Sequence, residues 1–144
     1  MRSKKRSARS STSTPPPSIV FFIDRSLGRY DVAEALRAQA MAVEVHDDHL
    51  PQDAADEIWL ALAGRNDWVV LTKDKRIRFR PLERQSLLDA GLRAFVFTGA
   101  SATGHQTAAA FVSALPAMLR LAGSRRGPWI ATVPRGGLVQ LLET

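Results

Sequence analysis

Short apolar runs alternate along the chain with segments whose apolar residues recur at helical spacing. The run 19–23, with the sequence IVFFI, is apolar at every position and ends at Asp24. This pattern is typical of a strand buried on both faces, as in a parallel sheet covered by helices. The segments 42–46, 68–71 and 92–97 predict three further strands.

Amphipathic segments between and after these strands predict helices. They span residues 30–40, 54–64, 82–90 and 105–122. Gly64 stands where a glycine is expected to end a helix. Pro116 lies inside the last segment and is predicted to kink or divide that helix, because proline lacks a backbone donor. The stretch 47–53 is predicted to be a loop. The basic stretch 73–80 is either a solvated loop or, beside a metal site, the place where a nucleic-acid backbone binds.

The end of the chain predicts a β-hairpin, because two apolar segments, 129–133 and 138–142, flank a Pro-Arg-Gly-Gly turn. Alternating strands and helices predict the α/β class, here a three-layer α/β/α sandwich with a mostly parallel central sheet. Residues 1–18 contain nothing to bury and are predicted to form a disordered basic, Pro-rich tail. One folded domain is therefore expected over residues 19–144.

Composition narrows the class of protein. The chain has 144 residues, 45% of them hydrophobic and 24% charged, which suits one domain with a buried core. The absence of cysteine excludes disulfide scaffolds, thiolate zinc sites and cysteine nucleophiles. No apolar run approaches the ~20 residues of a membrane span, and the N-terminus lacks the apolar stretch of a secretory signal. We therefore expect a cytoplasmic protein without a membrane segment.

The net charge of +6 is unevenly distributed. Residues 1–18 hold five basic residues and no acidic one, and residues 90–144 hold five basic residues and one acidic residue. The middle of the chain, 19–89, holds 10 basic and 13 acidic residues. A basic tail and a basic C-terminal third attract polyanions such as nucleic acid in a salt-dependent way, although such charge also serves solubility.

Carboxylates follow three successive predicted strands. Asp24 follows the first strand, Asp47 and Asp48 follow the second, and Asp74 follows the third, while Asp56 and Glu57 open the helix after the second strand. The carboxyl ends of parallel strands share one edge of the sheet, which is where ligands bind in open α/β folds. We therefore expect these acidic side chains to converge on one crevice.

A cluster of carboxylates needs compensating charge. Two unit charges ~4 Å apart repel by about 4 kcal/mol at an effective dielectric near 20, against a total stability of about 5–15 kcal/mol. Without cysteine or a histidine pair at ligand spacing, an all-oxygen site favours Mg²⁺ or Mn²⁺. Each acid also has a simpler interpretation: Asp24 or Asp74 as a turn or helix cap, and Asp56 as a helix N-terminal acid.

The segment Gly99 to Gly104 has the glycine spacing of a phosphate-binding P-loop. His105 and Gln106 replace the lysine and the hydroxyl residue of that motif, so NTP hydrolysis is not expected. The loop amides could still contact a phosphate.

Four sequence blocks resemble the PIN-like domain of VapC-type toxin ribonucleases. They are FIDRSLG at 22–28, VHDD at 45–48, DEIWL at 56–60 and VVLTKDKRIR at 69–78, and the likeness covers roughly residues 19–140. This family is a parallel sheet between helices whose acidic cluster binds Mg²⁺ or Mn²⁺ and cleaves RNA. The resemblance implies a metal-dependent endoribonuclease, a small antitoxin that blocks the acidic site, and a homodimer.

The resemblance assigns roles to individual residues. Asp24, Asp56 and Asp74 are expected to be catalytic and to bind the metal, with Glu57 as the alternative on the helix and Asp48 as an auxiliary ligand. Basic residues beside them are expected to position RNA, namely Arg25, Lys73, Lys75, Arg76 and Arg78. After the fourth strand the chain departs from the fuller family pattern, with Thr98, Gly99 and Ser101 where a further acid or amide often stands.

Two other functions are weighed. A catalytically inactive PIN-like module would bind nucleic acid through its basic tail and C-terminal third. A phosphoacceptor domain of receiver type also places acids at strand ends, but it needs paired acids after the first strand, where this chain has Asp24 and Arg25.

Overall fold

The computed structural model describes residues 19–142, so the predicted tail at 1–18 lies outside the described residues. The strands are β1 (Val20–Ile23), β2 (Ala42–Val45), β3 (Val69–Thr72), β4 (Arg93–Phe97), β5 (Trp129–Val133) and β6 (Gln140–Leu141). The helices are α1 (Asp31–Ala38), α2 (His46–His49), α3 (Asp56–Arg65), α4 (Lys75–Phe79), α5 (Pro81–Asp89) and α6 (Gly104–Ser124), and a short 3-10 helix spans Arg25–Leu27.

The strands form a single six-stranded sheet in the order β2-β1-β3-β4-β5-β6. The pairs from β2 to β5 are parallel, and β6 pairs with β5 in the antiparallel sense. The predicted α/β class with a mostly parallel sheet is confirmed, as is the antiparallel pair at the C-terminal end.

Side chains of the sheet point alternately to two cores, as the two-residue period of a strand requires. Phe21 and Ile23 of β1 face one core, together with Phe95 and Trp129. Phe22 faces the other core, in which its ring stacks on Trp59 and Trp68 at centroid distances of 6.0 and 5.6 Å. Helices α1 and α6 supply buried residues to the first core and α3 and α5 to the second, which gives the three predicted layers.

Two segments predicted as loops contain helices. His46–His49 is the short helix α2, and Lys75–Phe79 is the five-residue helix α4, which is capped by Asp74. A helix of one turn has too few residues for an apolar period to show in the sequence. The basic residues of α4 therefore lie on a helix and not on an extended loop.

The predicted end of α3 at Gly64 and the predicted division of α6 at Pro116 are wrong. Gly64 is inside α3, which continues to Arg65, and a Cβ at this position would come within 3.0 Å of the Ala90 carbonyl oxygen. The glycine is explained by this close packing and not by helix termination. Pro116 lies on the exposed side of α6, which runs unbroken from Gly104 to Ser124.

Helix α6 is 21 residues long and apolar enough that its length and composition would suit a membrane span, although the sequence contains no continuous apolar run of that length. Phe111 and Met118 on this helix are fully buried in the first core. Burial against the sheet explains the apolar character of α6.

Candidate active site

The ends of β1 and β3 bring two of the predicted acids together. The two strands are parallel neighbours, and the backbone N–H of Asp24 donates to the Leu71 carbonyl across them at 3.0 Å. Asp74 follows β3 by two residues. The two acids therefore lie at the same edge of the sheet, as the sequence predicts.

The hydroxyl of Thr72 links these acids directly. Thr72 is 1% exposed, and its hydroxyl donates to Oδ2 of Asp24 at 2.8 Å. The hydroxyl oxygen of Thr72 also accepts the backbone N–H of Asp74 at 3.1 Å, and it lies 3.2 Å from Oγ of Ser26. Ser26 in turn accepts the backbone N–H of Lys73 at 3.0 Å. Thr72 and Ser26 thus fix the geometry of the two strand ends, and sequence reasoning missed both.

Both strand-end acids also cap short helices. Asp24 accepts the backbone N–H of Ser26 at 3.3 Å at the start of the 3-10 helix, and Asp74 accepts the backbone N–H of Arg76 at 3.0 Å at the start of α4. The simpler interpretation of these acids as caps is therefore also correct. Asp24 is 4% exposed, which is unusual for a carboxylate that only caps a turn.

Asp56 is the first residue of α3 and reaches this edge through two arginines. Its Oδ1 accepts from Nη2 of Arg25 at 3.0 Å and from the indole N–H of Trp59 at 3.0 Å. Its Oδ2 lies 3.4 Å from Nη2 of Arg76. Arg25 is held in place by the carbonyls of Gln52 and Ala54, at 2.9 and 2.6 Å.

Arg76 connects Asp56 to Asp74. Its guanidinium donates to both oxygens of Asp74, with Nη2 to Oδ2 at 2.6 Å and Nε to Oδ1 at 3.1 Å. Partial burial raises the pKa of Asp74, but the hydrogen bonds and charge of Arg76, with the charge of Arg25, outweigh burial and leave that pKa below its ordinary value. The hydrogen bond and charge of Asp74 raise the pKa of the Arg76 guanidinium.

The auxiliary acid Asp48 lies in a separate group. It is exposed and 3.8 Å from Arg29, which also lies 3.7 Å from Asp47. Desolvation raises the pKa of Asp47, yet hydrogen bonds from Gln52 and the buried His46 and the charges of His46 and Arg29 lower it overall. Among the described contacts, none joins Asp48 to the strand-end acids.

A pocket of about 210 Å³ lies at the site, where Asp56 and Asp74 line it together with Glu57, the alternative acid on the helix. Acidic and apolar side chains line it: Asp56, Glu57, Trp59, Leu60, Asp74, Ile77, Leu82, Glu83 and Ser86. Glu57 therefore lines the same pocket as Asp56 and Asp74. Lys73 and Lys75 are exposed, while Arg78 packs over the ring of Phe79, with its guanidinium carbon 4.5 Å from the centroid.

The carboxylates are suitable ligands for a hard cation, although in this structure Asp56 and Asp74 form ion pairs with arginine. In residues 19–142, no three Asp, Glu or His side chains lie close enough together to bind one metal ion. Their oxygens are nevertheless the donors that Mg²⁺ and Mn²⁺ prefer. The guanidinium of Arg76 already supplies positive charge between Asp56 and Asp74. A cation bound by these two carboxylates requires Arg76 to release them.

The P-loop-like segment is arranged against phosphate binding. A Cβ placed on Gly104, the first residue of α6, would lie 1.9 Å from Oδ2 of Asp31. The Asp31 carboxylate therefore lies against the positive end of the helix dipole, where a phosphate would otherwise sit. Thr103 and Gln106 complete a capping box at the same helix end.

Comparisons with known proteins agree with the fold. The PIN like domain family matches residues 19–99, a range that includes Asp24, Asp56 and Asp74. A protein of Mycobacterium tuberculosis (strain ATCC 25618 / H37Rv) named "Putative ribonuclease VapC45" is 33% identical over 125 residues, which cover 84% of this chain and 90% of that protein. No solved structure matches at a comparable level of significance.

Proposed function

Because the chain belongs to the PIN-like domain family as a VapC-type protein, we propose that it is a metal-dependent endoribonuclease and the toxin of a toxin–antitoxin pair. The observation that carries the proposal is the shared Thr72 hydroxyl, which binds Asp24 at 2.8 Å and the backbone of Asp74 at 3.1 Å. Asp56 lies across a single guanidinium from Asp74. Acids from three distant parts of the sequence are therefore joined by Thr72 and Arg76 at one edge of the sheet.

Asp24, Asp56 and Asp74 would hold Mg²⁺ or Mn²⁺. A divalent ion supplies Lewis-acid chemistry, because it polarises a phosphoryl oxygen and makes water more acidic. The buried Thr72 orients Asp24, and the exposed Lys73 and Lys75 lie beside the acids, where they can contact RNA phosphates. The role of Arg25 and Arg76 in binding RNA stays a prediction, since both side chains bind carboxylates in this structure.

The test is cleavage of RNA by single carboxamide variants. Asp24→Asn, Asp56→Asn and Asp74→Asn are each expected to lower Mg²⁺-dependent cleavage on the order of 100-fold or more, because each removes one anionic donor of the same site. The measurement is the initial rate on a labelled RNA with Mg²⁺ and with EDTA. Asp53→Asn is the matched control, since Asp53 is an exposed acid of the neighbouring loop, and it should keep the wild-type rate.

One further variant decides which acid of α3 is used. Glu57→Gln is expected to change the rate by less than Asp56→Asn, because Asp56 and not Glu57 contacts the arginine bound to Asp74. If Glu57→Gln lowers the rate more than Asp56→Asn, Glu57 is the metal ligand on this helix. Wild-type rates in both Asp24→Asn and Asp74→Asn would contradict the proposed nuclease.

A second candidate function is supported by the ion pairs of Arg25 and Arg76. These arginines neutralise Asp56 and Asp74 without a metal, as in a PIN-like module that binds nucleic acid and does not cleave it. That function predicts RNA binding that is unchanged by EDTA and no product with Mg²⁺. RNA cleavage that is lost in Asp24→Asn would exclude this second function.

The proposed partners follow from the same family. We expect a small antitoxin that covers the acidic site, and a homodimer of this chain. A short open reading frame next to this one, whose product abolishes cleavage on co-expression, would support the toxin assignment. Light scattering of the purified protein measures the oligomeric state.

A further inference from the structure

A groove of about 970 Å³ lies at the opposite end of the sheet from the acids. Residues that precede or begin strands line one side, including Ile19 before β1, Ala42 of β2 and Arg93 of β4. The C-terminal end of α6 and the residues after it, 122–127, line the other side. We call this surface the basic groove.

Two arginines of the basic groove carry unneutralised charge. Arg93 is engaged, because it donates to the Ala122 carbonyl at 2.9 Å and lies 3.5 Å from Asp67. Arg125 and Arg126 are exposed, and within the described part of the chain neither has an acidic partner within 4.0 Å. The groove is therefore positively charged, whereas the acids predicted to form the active site lie at the other end of the sheet.

The basic N-terminal segment joins the domain at this groove. Residues 1–18 carry five basic residues and no acidic one, and they connect to Ile19, which lines the groove. Arg9 is ten residues from Ile19, so the chain can place its charge no farther than about 35 Å away. The segment is thus attached to the chain at the end of the sheet that holds Arg125 and Arg126.

We propose that the basic groove binds the sugar–phosphate backbone of RNA. Arginine forms bidentate hydrogen bonds with phosphate. A groove of this size accommodates several nucleotides, whereas a single phosphate needs a much smaller site. The residues next to Arg125 and Arg126 are small, namely Ala122, Gly123, Ser124 and Gly127, and the larger apolar residues of the groove, Ile19, Met41 and Leu119, are partly buried against the core, which does not favour insertion into a lipid surface. Such contacts position the RNA and carry no sequence preference.

The test measures RNA binding by the full chain in EDTA, where metal-dependent cleavage cannot occur. The probe is a fluorescent 20-nucleotide single-stranded RNA, titrated by anisotropy between 50 and 200 mM salt. Loss of two phosphate contacts in Arg125→Glu/Arg126→Glu is expected to weaken binding at least about 10-fold at low salt and to reduce the slope of log K against log salt by about 1.4. Arg125→Lys/Arg126→Lys keeps the charge and should bind within about twofold of wild type.

The control for the N-terminal segment replaces its five basic residues, Arg2, Lys4, Lys5, Arg6 and Arg9, with Gln in the full chain. The loss of affinity caused by Arg125→Glu/Arg126→Glu is expected to persist in this variant, because the groove itself supplies those two contacts. Circular dichroism and the melting temperature verify that each variant is folded. If Arg125→Glu/Arg126→Glu does not fold, the single variant Arg125→Ala replaces it.

Three results would overturn the proposal. Unchanged RNA affinity in the folded Glu variant excludes the groove, and equal losses in the Glu and Lys variants show a structural effect in place of phosphate binding. Equally tight binding to phosphatidylserine vesicles, lost in the same Glu variant, assigns the groove to a membrane surface. None of these depends on cleavage, so the proposed nuclease can fail while this inference holds.

Discussion

The Thr72 hydroxyl joins two segments that are 48 residues apart in sequence by binding the side chain of Asp24. As a donor to Asp24 and an acceptor from the backbone of Asp74, it satisfies two polar groups at a buried strand end. A buried polar group that loses its partner costs about 1–3 kcal/mol. Thr72 is thus a positioning residue, because the same two hydrogen bonds stabilise the fold and orient Asp24.

Thr72→Val tests this role, because valine keeps the shape and the strand preference of threonine but lacks the hydroxyl. We expect the free energy of unfolding to fall by about 1–3 kcal/mol and Mg²⁺-dependent cleavage to fall with it. Urea unfolding and initial rates measure both effects. Thr72→Ser restores the hydroxyl and should recover the rate more fully than the stability, whereas equal rates in the Val and Ser variants would refute the positioning role.

The Arg76–Asp74 pair predicts a pH dependence of stability. The pKa of Asp74 in the folded protein lies below its ordinary value of 3.8, so the stability from this pair is fully present above that value and is lost as the pH falls through the folded pKa. Arg76→Gln should therefore destabilise the metal-free protein at pH 7 by about 1 kcal/mol, because the Arg76 side chain is 39% exposed and solvent screens the pair.

The difference between Arg76→Gln and wild type is expected to shrink as the pH falls from 5 to 3, measured by urea unfolding in EDTA. Arg80→Gln is the matched control, since its nearest acid is 3.9 Å away and its side chain is 67% exposed. A constant difference over this range would show that Arg76 stabilises the fold by packing and not through Asp74.

Among the elements, the start of α6 depends on one glycine. The Asp31 carboxylate from the start of α1 occupies the space where the side chain of residue 104 would lie. This contact explains how a P-loop-like glycine spacing occurs here without a phosphate site. It also joins α1 to α6, the two helices on one face of the sheet.

Gly104→Ala is expected to lower the free energy of unfolding by about 1–3 kcal/mol, because Asp31 has to move away. Gly123→Ala in the same helix is the control, since no atom lies within 4 Å of its added Cβ, and stability should stay equal or rise slightly. Adding Asp31→Ala to Gly104→Ala should recover part of the loss. A Gly104→Ala variant as stable as wild type would show that the Asp31 carboxylate can move away without loss of stability.

The elements that the sequence predicts correctly are those with long apolar patterns. β1 and β3 are continuous apolar runs, and the acids at their ends follow from the rule that parallel strands share an edge. The helices α2 and α4 are too short for a period to show. The roles of Thr72, Ser26 and Arg76 rest on contacts between distant segments, which no local pattern contains.

At the scale of the whole molecule, a cation bound by the strand-end acids stabilises only the folded chain. Mg²⁺ is expected to add RT ln(1 + [L]/Kd), which is about 2.7 kcal/mol at 100 times Kd. A thermal-shift titration measures this, and Asp24→Asn and Asp74→Asn should lose it while Asp53→Asn keeps it. Equal shifts in all four proteins would point to nonspecific ion binding.

The unbroken length of α6 has a consequence for the size of a substrate. This helix starts beside the C-terminal ends of the strands and ends at Ser124, next to Arg125, so its 21 residues separate the two ends by about 31 Å. At about 3.4 Å per nucleotide, a stacked oligomer needs roughly nine nucleotides to touch both ends. Fragments below this length should be released after a cut, while longer RNA stays tethered for another.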